Sequence, residues 1–418
     1  MRIAVIGGGI SGMLSWYLLQ RQHEVIIFEA NDYLGGHTAT VDVSVQGKQY
    51  AIDTGFIVFN DWTYPIFNRF ISELNVDYQH TEMSFSVKNN AENLEYNGNT
   101  LSSLFAQRRN LFRPSFWRML LEINRFNKLG KKLLGQDHTD LALSLGEFLT
   151  KHNFSQKISH NYLLPMGAAI WSSGLTAMPD FPVRFFLRFF NNHGLLNITD
   201  RPQWAVIKGG SRNYVQALQA KLGTDSIRLK QTITKVLRDQ DSVTLQFTQG
   251  HSETFDKVVF ACHSDQALAL LGENASENER QILANIAYKD NEVILHTDTA
   301  LLPKRKKAWA AWNYNLSSVA NEQATLTYNM NILQGIEAPV TFCVTLNNTA
   351  EIDNSKILGR FMYQHPVYNQ QTLVAQARRQ EINGQQHSYF CGAYWYNGFH
   401  EDGAKSAVDV AALFGIEY

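Results

Sequence analysis

The chain has 418 residues, 44% hydrophobic and 18% charged, a composition that excludes a disordered or fibrous protein and suits two or three domains at about 150 residues each. Its 37 Lys and Arg against 38 Asp and Glu leave a formal charge of -1, without the overall basic surplus by which a dedicated nucleic-acid binder meets phosphates. Cys262, Cys343 and Cys391 are odd in number, far apart and without CxxC or paired-His spacing, which predicts reduced thiols in a cytosolic protein and no metal site.

The apolar run over residues 1–19 lacks a small-residue cleavage site, and no later stretch is apolar for long enough to cross a bilayer. The expectation is a soluble protein or one resting on a membrane surface. Within that run Arg2–Ile6 (RIAVI) reads as a strand, Gly7-Gly8-Gly9-Ile10-Ser11-Gly12 as a glycine turn, and residues 11–22 as a helix with Met13, Trp16, Tyr17 and Leu19 at helical spacing. A second strand, Glu24–Phe28 (EVIIF), ends on Glu29, 22 positions beyond Gly7. Gly7 permits a tight turn, Gly9 lets the backbone approach a pyrophosphate, and Gly12 lets helix and strand pack closely. The helix N-terminus then faces the phosphates, and Glu29 accepts hydrogen bonds from a ribose. Strand, turn, helix and acid in this order point to a dinucleotide site rather than a structural turn, without choosing between NAD and FAD.

Ala30 follows the acid, then come Gly35-Gly36-His37 and Asp53-Thr54-Gly55-Phe56. Residues 61–204 are helical by pattern. Within them, residues 108–136 hold eight basic side chains against one acid, Glu122, a net charge of +7. Phe112, Phe116, Met119, Leu120, Ile123 and Phe126 recur at helical spacing, while Arg118, Arg125 and Lys132 share another face. Such a helix either lies on an anionic membrane or covers a core with its charges solvated. Residues 181–196 are dense in aromatics, with Arg184 and Arg188 the only charges, and residues 165–171 are apolar with small side chains. These segments line an apolar tunnel or fill the core.

Further on, Ile207-Lys208-Gly209-Gly210-Ser211 opens a helix, residues 232–247 read as a hairpin turned at Asp239-Gln240-Asp241, and residues 257–262 as a buried strand. Lys304-Arg305-Lys306-Lys307 ahead of Trp309 and Trp312 reads as a solvated turn. Residues 389–393 form a strand leading to residues 398–404 and a last helix over 406–415. His400, Glu401 and Asp402 read as caps of that helix rather than as catalytic or metal groups. No hydrolase elbow, P-loop or kinase signature is present.

The glycine turn with its acid, Gly35-Gly36, Asp53-x-Gly55, residues 207–211 and residues 398–403 together resemble the signature of the flavin-containing amine oxidase superfamily. Residues 53–60, 63–65 and 398–403 look like a bacterial branch of it, whose relatives include the oxidase-like region fused to plant cyclopropane-fatty-acid synthases. The resemblance implies an α/β fold. A Rossmann-type FAD-binding domain would be assembled from residues 1–60, 205–265 and 385–418, and an α+β substrate domain from 61–204 and 266–384. FAD would lie on Gly7, Gly9, Ile10, Ser11, Gly12, Glu29, Ala30, Gly35, Gly36, His37, Thr54, Gly55, Phe56, Val236, Gly392, Phe399 and His400. The Val236 backbone would touch the adenine. His37 stands where relatives carry Arg, as a weaker and pH-dependent partner of the pyrophosphate. Residues 363–366 lack the Cys of covalently attached relatives, so the FAD would be non-covalent.

No catalytic residue is assigned by the resemblance. Phe399 takes the place of one substrate-flanking tyrosine, Tyr363, His365 or Tyr368 stand near the other, and Lys289 lies close to the flavin-proximal lysine position. Phe399, Trp395, Tyr396, Trp312 and Tyr314 are expected to form an aromatic wall suited to an apolar chain or an ammonium group. Hydride transfer from substrate to FAD is the implied reaction. An unsaturated acyl lipid, an amine, and a non-catalytic binding role like that of the Rab-escort relatives all stay open. The implied partner is a small-molecule or lipid substrate, with no nucleic acid, and the basic pattern of residues 108–136 leaves a peripheral membrane contact open for a cytoplasmic protein.

Overall fold

The computed structural model describes residues 1–316 and 324–418. Its organising layer is a parallel five-stranded sheet in the order Ile227–Arg228, Glu24–Phe28, Arg2–Ile6, Lys257–Phe260, Ser388–Phe390. The strands come from three separated stretches of chain. Ile3, Ala4, Val5, Val258, Val259 and Phe260 are fully buried, as continuous apolar runs covered on both faces require. On one face lies the antiparallel sheet Ile233–Arg238, Val243–Phe247, Ser252–Phe255, with Phe28 packed 5.3 Å from Phe247 and 5.8 Å from Phe255 between ring centroids. On the other lie the helices Ile10–Leu19 and His400–Leu413, in one apolar cluster with Ile3 and Val5. The architecture is α/β, with a parallel nucleotide-type sheet.

A second, seven-stranded sheet runs Ile357–Pro366, Tyr288–His296, Cys343–Leu346, Leu326–Asn329, Trp312–Leu316, Phe85–Asn89, Leu94–Asn97. Two of its strands lie in the region whose sequence pattern reads as helical. They are cryptic because their polar residues are satisfied internally: Ser86 Oγ donates to Asn313 Oδ1 at 2.9 Å, and Lys88 Nζ to the Ala300 carbonyl at 2.8 Å. The helix Pro65–Glu73 also departs from the expected division at residue 60, because Phe67, Phe70 and Ile71 enter the same cluster as Ile3, Val5 and Trp16. Tyr78–Thr81 likewise pairs with Trp204–Ile207, which pairs on its other edge with Val58–Asn60.

The basic segment forms a long helix, Pro114–Gln136, started by Pro at its first turn. Its Phe116, Met119 and Phe126 are core residues, so of the two readings the core one holds for this apolar face, which packs against the helix Val183–Asn192. Gly130 makes that approach close, since a Cβ there would lie 2.8 Å from Leu187 Cδ2. Arg118 pairs with Glu122 at 3.4 Å, and Arg125 donates to the His152 and Asn153 carbonyls. Phe186, Leu187 and Phe190 of the aromatic segment are likewise fully buried core. Among the described residues no helix is long and apolar enough to cross a membrane.

The strand Ile233–Arg238 is locked to the helix Glu277–Leu283 by a bidentate pair, Arg238 to Glu279 at 2.6 and 2.9 Å, with both side chains almost wholly buried. Removing one partner leaves an uncompensated buried charge. Arg238→Ala is expected to cost about 3–5 kcal/mol in urea unfolding, and Arg238→Met with Glu279→Leu to recover most of it. An undiminished midpoint for Arg238→Ala would contradict the assignment.

Candidate cofactor site

The glycine turn is built by backbone contacts that no side chain would fit. Gly7 has φ +108°, and a Cβ on Gly12 would lie 1.9 Å from the Gly7 carbonyl oxygen. Gly9 differs: nothing lies within 4 Å of where its Cβ would be. It is also the N-cap of the helix Ile10–Leu19, which has no side-chain cap and no acid in its first turn. A helix N-terminus with open N–H groups beside a glycine that leaves space is an anion cradle. Gly35 and Gly36 close its wall: the Gly35 N–H donates to the Gly8 carbonyl at 2.8 Å, and Gly36, at φ +58°, would place a Cβ 3.1 Å from Gly9 Cα. Glu29, nearly buried, accepts from the Gly8 N–H at 2.7 Å and from Asn31 at 2.9 and 3.0 Å. Oε2, which accepts only from Gly8, keeps lone-pair capacity for a ribose hydroxyl. Ala30 is exposed next to it, and Val236 lies on an edge strand with its side chain in the core.

The C-terminal helix docks on the same turn. Gly403 lets it come within 2.7 Å of Ile10 Cγ2 as measured from a Cβ, and Ser11 Oγ donates to the Gly403 carbonyl at 2.9 Å. Ser406 Oγ accepts from the Gly392 N–H at 2.8 Å. The three polar residues at its start do separate work. Asp402 accepts from the Phe399 N–H at 2.9 Å, capping its own helix, while Glu401 accepts from the Ile66 and Phe67 N–H groups, both at 2.9 Å, capping Pro65–Glu73. His400 stacks on Phe56 at 3.6 Å and meets the Tyr214 hydroxyl at 2.9 Å; that hydroxyl lies 2.6 Å from Thr38 Oγ1. Burial pushes the Glu401 carboxyl up to about 7 and that of Asp402 to about 6, and holds His400 well below its usual range.

His37 sits with Tyr363, His365 and His263 at ring-centroid distances of 5.3, 5.4 and 6.4 Å. Burial and the neighbouring histidines push its pKa down to about 3, and burial takes His365 to about 4. Against the expectation of a pH-dependent phosphate partner, His37 is thus held well below its ordinary range, and its buried Nε2 has no partner among the described residues. The His37 carbonyl accepts from the Phe56 N–H at 2.7 Å and would lie 2.1 Å from a Cβ on Gly55, which explains the glycine there. Thr54 Oγ1 lies 2.7 Å from the Tyr363 hydroxyl. Asp53 ties three segments together, accepting from Thr40 Oγ1 at 2.6 Å, the Ser211 N–H at 2.9 Å and Gln334 Nε2 at 3.1 Å.

Of the catalytic candidates, Lys289 lies opposite His365 in strand register. Phe399 stacks on Phe189 at 4.8 Å, with His193 at 5.9 Å. Trp395 and Tyr396 do not join that wall. Trp395 is buried beside Arg379 in the core under the parallel sheet, and Tyr396 meets Arg379 and Asp409. Trp312 packs edge-on to Tyr328 in the seven-stranded sheet, and Tyr314 is buried beside it. The wall that does form adds Phe185 and Tyr368, stacked at 5.2 Å, with a Cβ on Gly398 only 2.5 Å from the Tyr368 hydroxyl. Tyr214, His263, Thr38 and Gln334 carry no sequence motif; their roles exist only through contacts distant in the chain. Among the described residues no group of three or more His, Cys, Asp or Glu is arranged to hold a metal ion.

The uncapped helix, the open face of Gly9 and the unpartnered His37 nitrogen fit a dinucleotide pyrophosphate. The family model described as flavin containing amine oxidoreductase matches residues 10–331, and the chain belongs to that family: it is a flavin-dependent oxidoreductase whose cofactor is FAD. By sequence it matches no curated protein. In fold it is similar to the CLA-producing fatty acid isomerase from P. acnes (TM-score 0.69, 14% identity, 99% of both chains covered). It is similar also to cyclohexylamine oxidase from Brevibacterium oxydans (0.69, 13%, 99% of both) and to reduced UDP-galactopyranose mutase (0.70, 14%, 99% of this chain and 94% of that one).

Two variants separate cradle from scaffold. Gly9→Val is expected to purify folded but without the flavin absorbance, because its side chain fills open space meant for phosphate. Gly12→Ala is expected to lose more than about 2 kcal/mol of stability, because a Cβ meets backbone there. Yellow Gly9→Val protein would contradict the cradle.

Glu401 makes a pH prediction. Its folded pKa, about 7, exceeds the ordinary 4.5, so the folded state holds this proton longer than the unfolded chain and ionising it costs stability. Relative to Glu401→Gln, the wild type is expected to lose up to about 3 kcal/mol in urea unfolding between pH 4.5 and pH 7. A constant difference across that window would refute it.

Proposed function

We propose that the substrate is an apolar molecule carrying an unsaturated acyl chain, from which one C–H bond gives up a hydride. The reading is carried by the wall of Phe399, Phe189, Phe185, Tyr368 and His193, whose own side chains are all aromatic and un-ionised, the nearby Asp402 carboxylate being engaged by the Phe399 N–H. His193 stays neutral because burial pushes its pKa down to about 4, and its Nδ1 bonds the Phe189 carbonyl at 3.0 Å. The charges of the same helix point elsewhere: Arg184 pairs with Asp137, and Arg188 is exposed. An apolar chain loses little solvation on entering such a site and gains area burial, whereas a charged headgroup is held outside.

Bound FAD supplies the redox chemistry, accepting the hydride and passing the electrons to a second acceptor. The protein's part is placement. The N-terminal glycine turn and Glu29 would hold the nucleotide half and the C-terminal segment from Gly392 to His400 the ring end, and Phe399 of that segment stacks on Phe189 of the aromatic helix. The FAD is proposed to be non-covalent: residues 363–366 contain no Cys, Cys343 lies buried in the seven-stranded sheet, and Cys391 is buried against Ser15 at 3.6 Å. Denaturation followed by filtration is expected to release the yellow cofactor entirely, and colour retained on the polypeptide would overturn this.

The substrate class is tested by the visible spectrum under anaerobic conditions. Unsaturated fatty acid or phospholipid is expected to bleach the flavin band, and Phe399→Ala to lower kcat/KM about tenfold with flavin content unchanged. Bleaching by amines alone would refute the acyl reading and favour the amine chemistry that the fold of cyclohexylamine oxidase also houses.

A further inference from the structure

The face of the molecule around residues 101–121 has two properties that ordinary solvated surface does not combine. The first is charge. A groove of about 540 Å³ is lined by residues 106–109 and 305–307, so that Arg108, Arg109, Arg305, Lys306 and Lys307 converge on one space. Arg305 pairs with Glu95 at 3.1 Å; for the other four, no carboxylate stands within ion-pair distance among the described residues. The second is apolar exposure. Leu101 is 77% exposed, Phe112 86% and Leu121 69%, and Trp117 is also exposed.

These features are one surface. The Trp117 indole N–H donates to the Leu111 carbonyl at 2.9 Å, and its ring lies 5.3 Å from Phe105, one residue before the groove begins. The short helix Leu101–Leu104 packs on the turn Lys306–Ala308 that carries the second set of cations. At the groove lies Gln107, 1% exposed, whose amide oxygen and nitrogen both lack a hydrogen-bond partner among the described residues. A buried carboxamide with nothing to bond is costly unless a ligand completes it.

We propose that this face docks on a bilayer containing anionic phospholipid. Phe112, Trp117, Leu121 and Leu101 enter the boundary between headgroups and acyl chains, the five cations meet headgroup phosphates, and Gln107 donates its amide to a headgroup oxygen. Charge complementarity selects the anionic surface, and the apolar side chains select a bilayer over a soluble polyanion, which would leave them in water. The docking face differs from the one expected of residues 108–136 on periodicity, since Phe116, Met119 and Phe126 are core and only the outer edge of the helix start takes part. The same helix packs by Gly130 against Leu187 of the helix that carries Phe189. The proposal stands without the acyl-substrate reading, because binding is measured apart from turnover.

The test is co-sedimentation of the FAD-loaded protein with vesicles of phosphatidylcholine alone and of phosphatidylcholine mixed with phosphatidylglycerol. Binding to the mixed vesicles is expected to be at least about tenfold tighter and to weaken with added salt. Phe112→Ser with Leu121→Ser, and separately Arg108→Glu with Lys306→Glu, are each expected to lower it about tenfold or more, with the bound-flavin spectrum unchanged. Arg118→Glu with Lys132→Glu, on the helix outside the groove, serves as the comparison and is expected to have a smaller effect. Absent binding, equal binding to both vesicles, or equal loss in the comparison pair would overturn the proposal. So would full competition by soluble polyphosphate with the Phe112 and Leu121 variant unaffected. A variant that lost its flavin would be misfolded, and the other pair together with the salt titration would decide.

Discussion

Close approach around the first helix is the constraint on which the rest of the molecule depends. A Cβ on Gly12 would meet the Gly7 carbonyl, and one on Gly403 would press on the Ile10 and Ser11 side chains, so the first helix lies tight against both the glycine turn and the C-terminal helix. Three stretches hundreds of residues apart thereby meet at one turn. At that turn the first helix keeps an N-terminus without a side-chain cap, while Asp402 caps the C-terminal helix and Glu401 the helix Pro65–Glu73 beside it. The open N–H groups are a deficit that no side chain fills and that an anion would.

The electrostatics of the site follow from the same compactness. His37, His365, His193 and His400 are all held neutral by burial. A pyrophosphate at this turn would find backbone dipoles and N–H donors, with His37 held neutral by burial. The aromatic wall beyond Phe399 continues this neutral interior toward the substrate side. Oriented amides suffice for a phosphate, and a wall without charge favours an apolar guest. Charge is instead placed on the outer surface, where the groove between residues 106–109 and 305–307 concentrates it.

Legibility in the sequence divides along physical lines. The strand, glycine turn, helix and acid were readable because each depends on residues within about thirty positions, and backbone sterics leave few substitutes for glycine there. The capping work of Asp402 followed from its place ahead of a helix, but the reach of Glu401 to Ile66 did not, since nothing local encodes it. Strands such as Phe85–Asn89 were hidden because Ser86 and Lys88 find their partners more than two hundred residues away, at Asn313 and at the Ala300 carbonyl. Periodicity identified the helix Pro114–Gln136 and its apolar stripe but not what the stripe meets; packing against Val183–Asn192 claimed it. The expected aromatic wall failed in part for the same reason: Trp395 lies four residues before Phe399, yet it packs in the core under the parallel sheet while Phe399 packs against the aromatic helix.

The central claim is that one anion-binding turn, completed by FAD, joins the three stretches of chain. Amide hydrogen exchange on the apo protein and on the FAD-reconstituted protein tests it most directly. Slowed exchange confined to the segments around Gly9–Met13, Gly35–Gly36 and Phe399–Gly403 is the predicted result. Unchanged exchange at the first helix N-terminus on FAD binding would contradict the account.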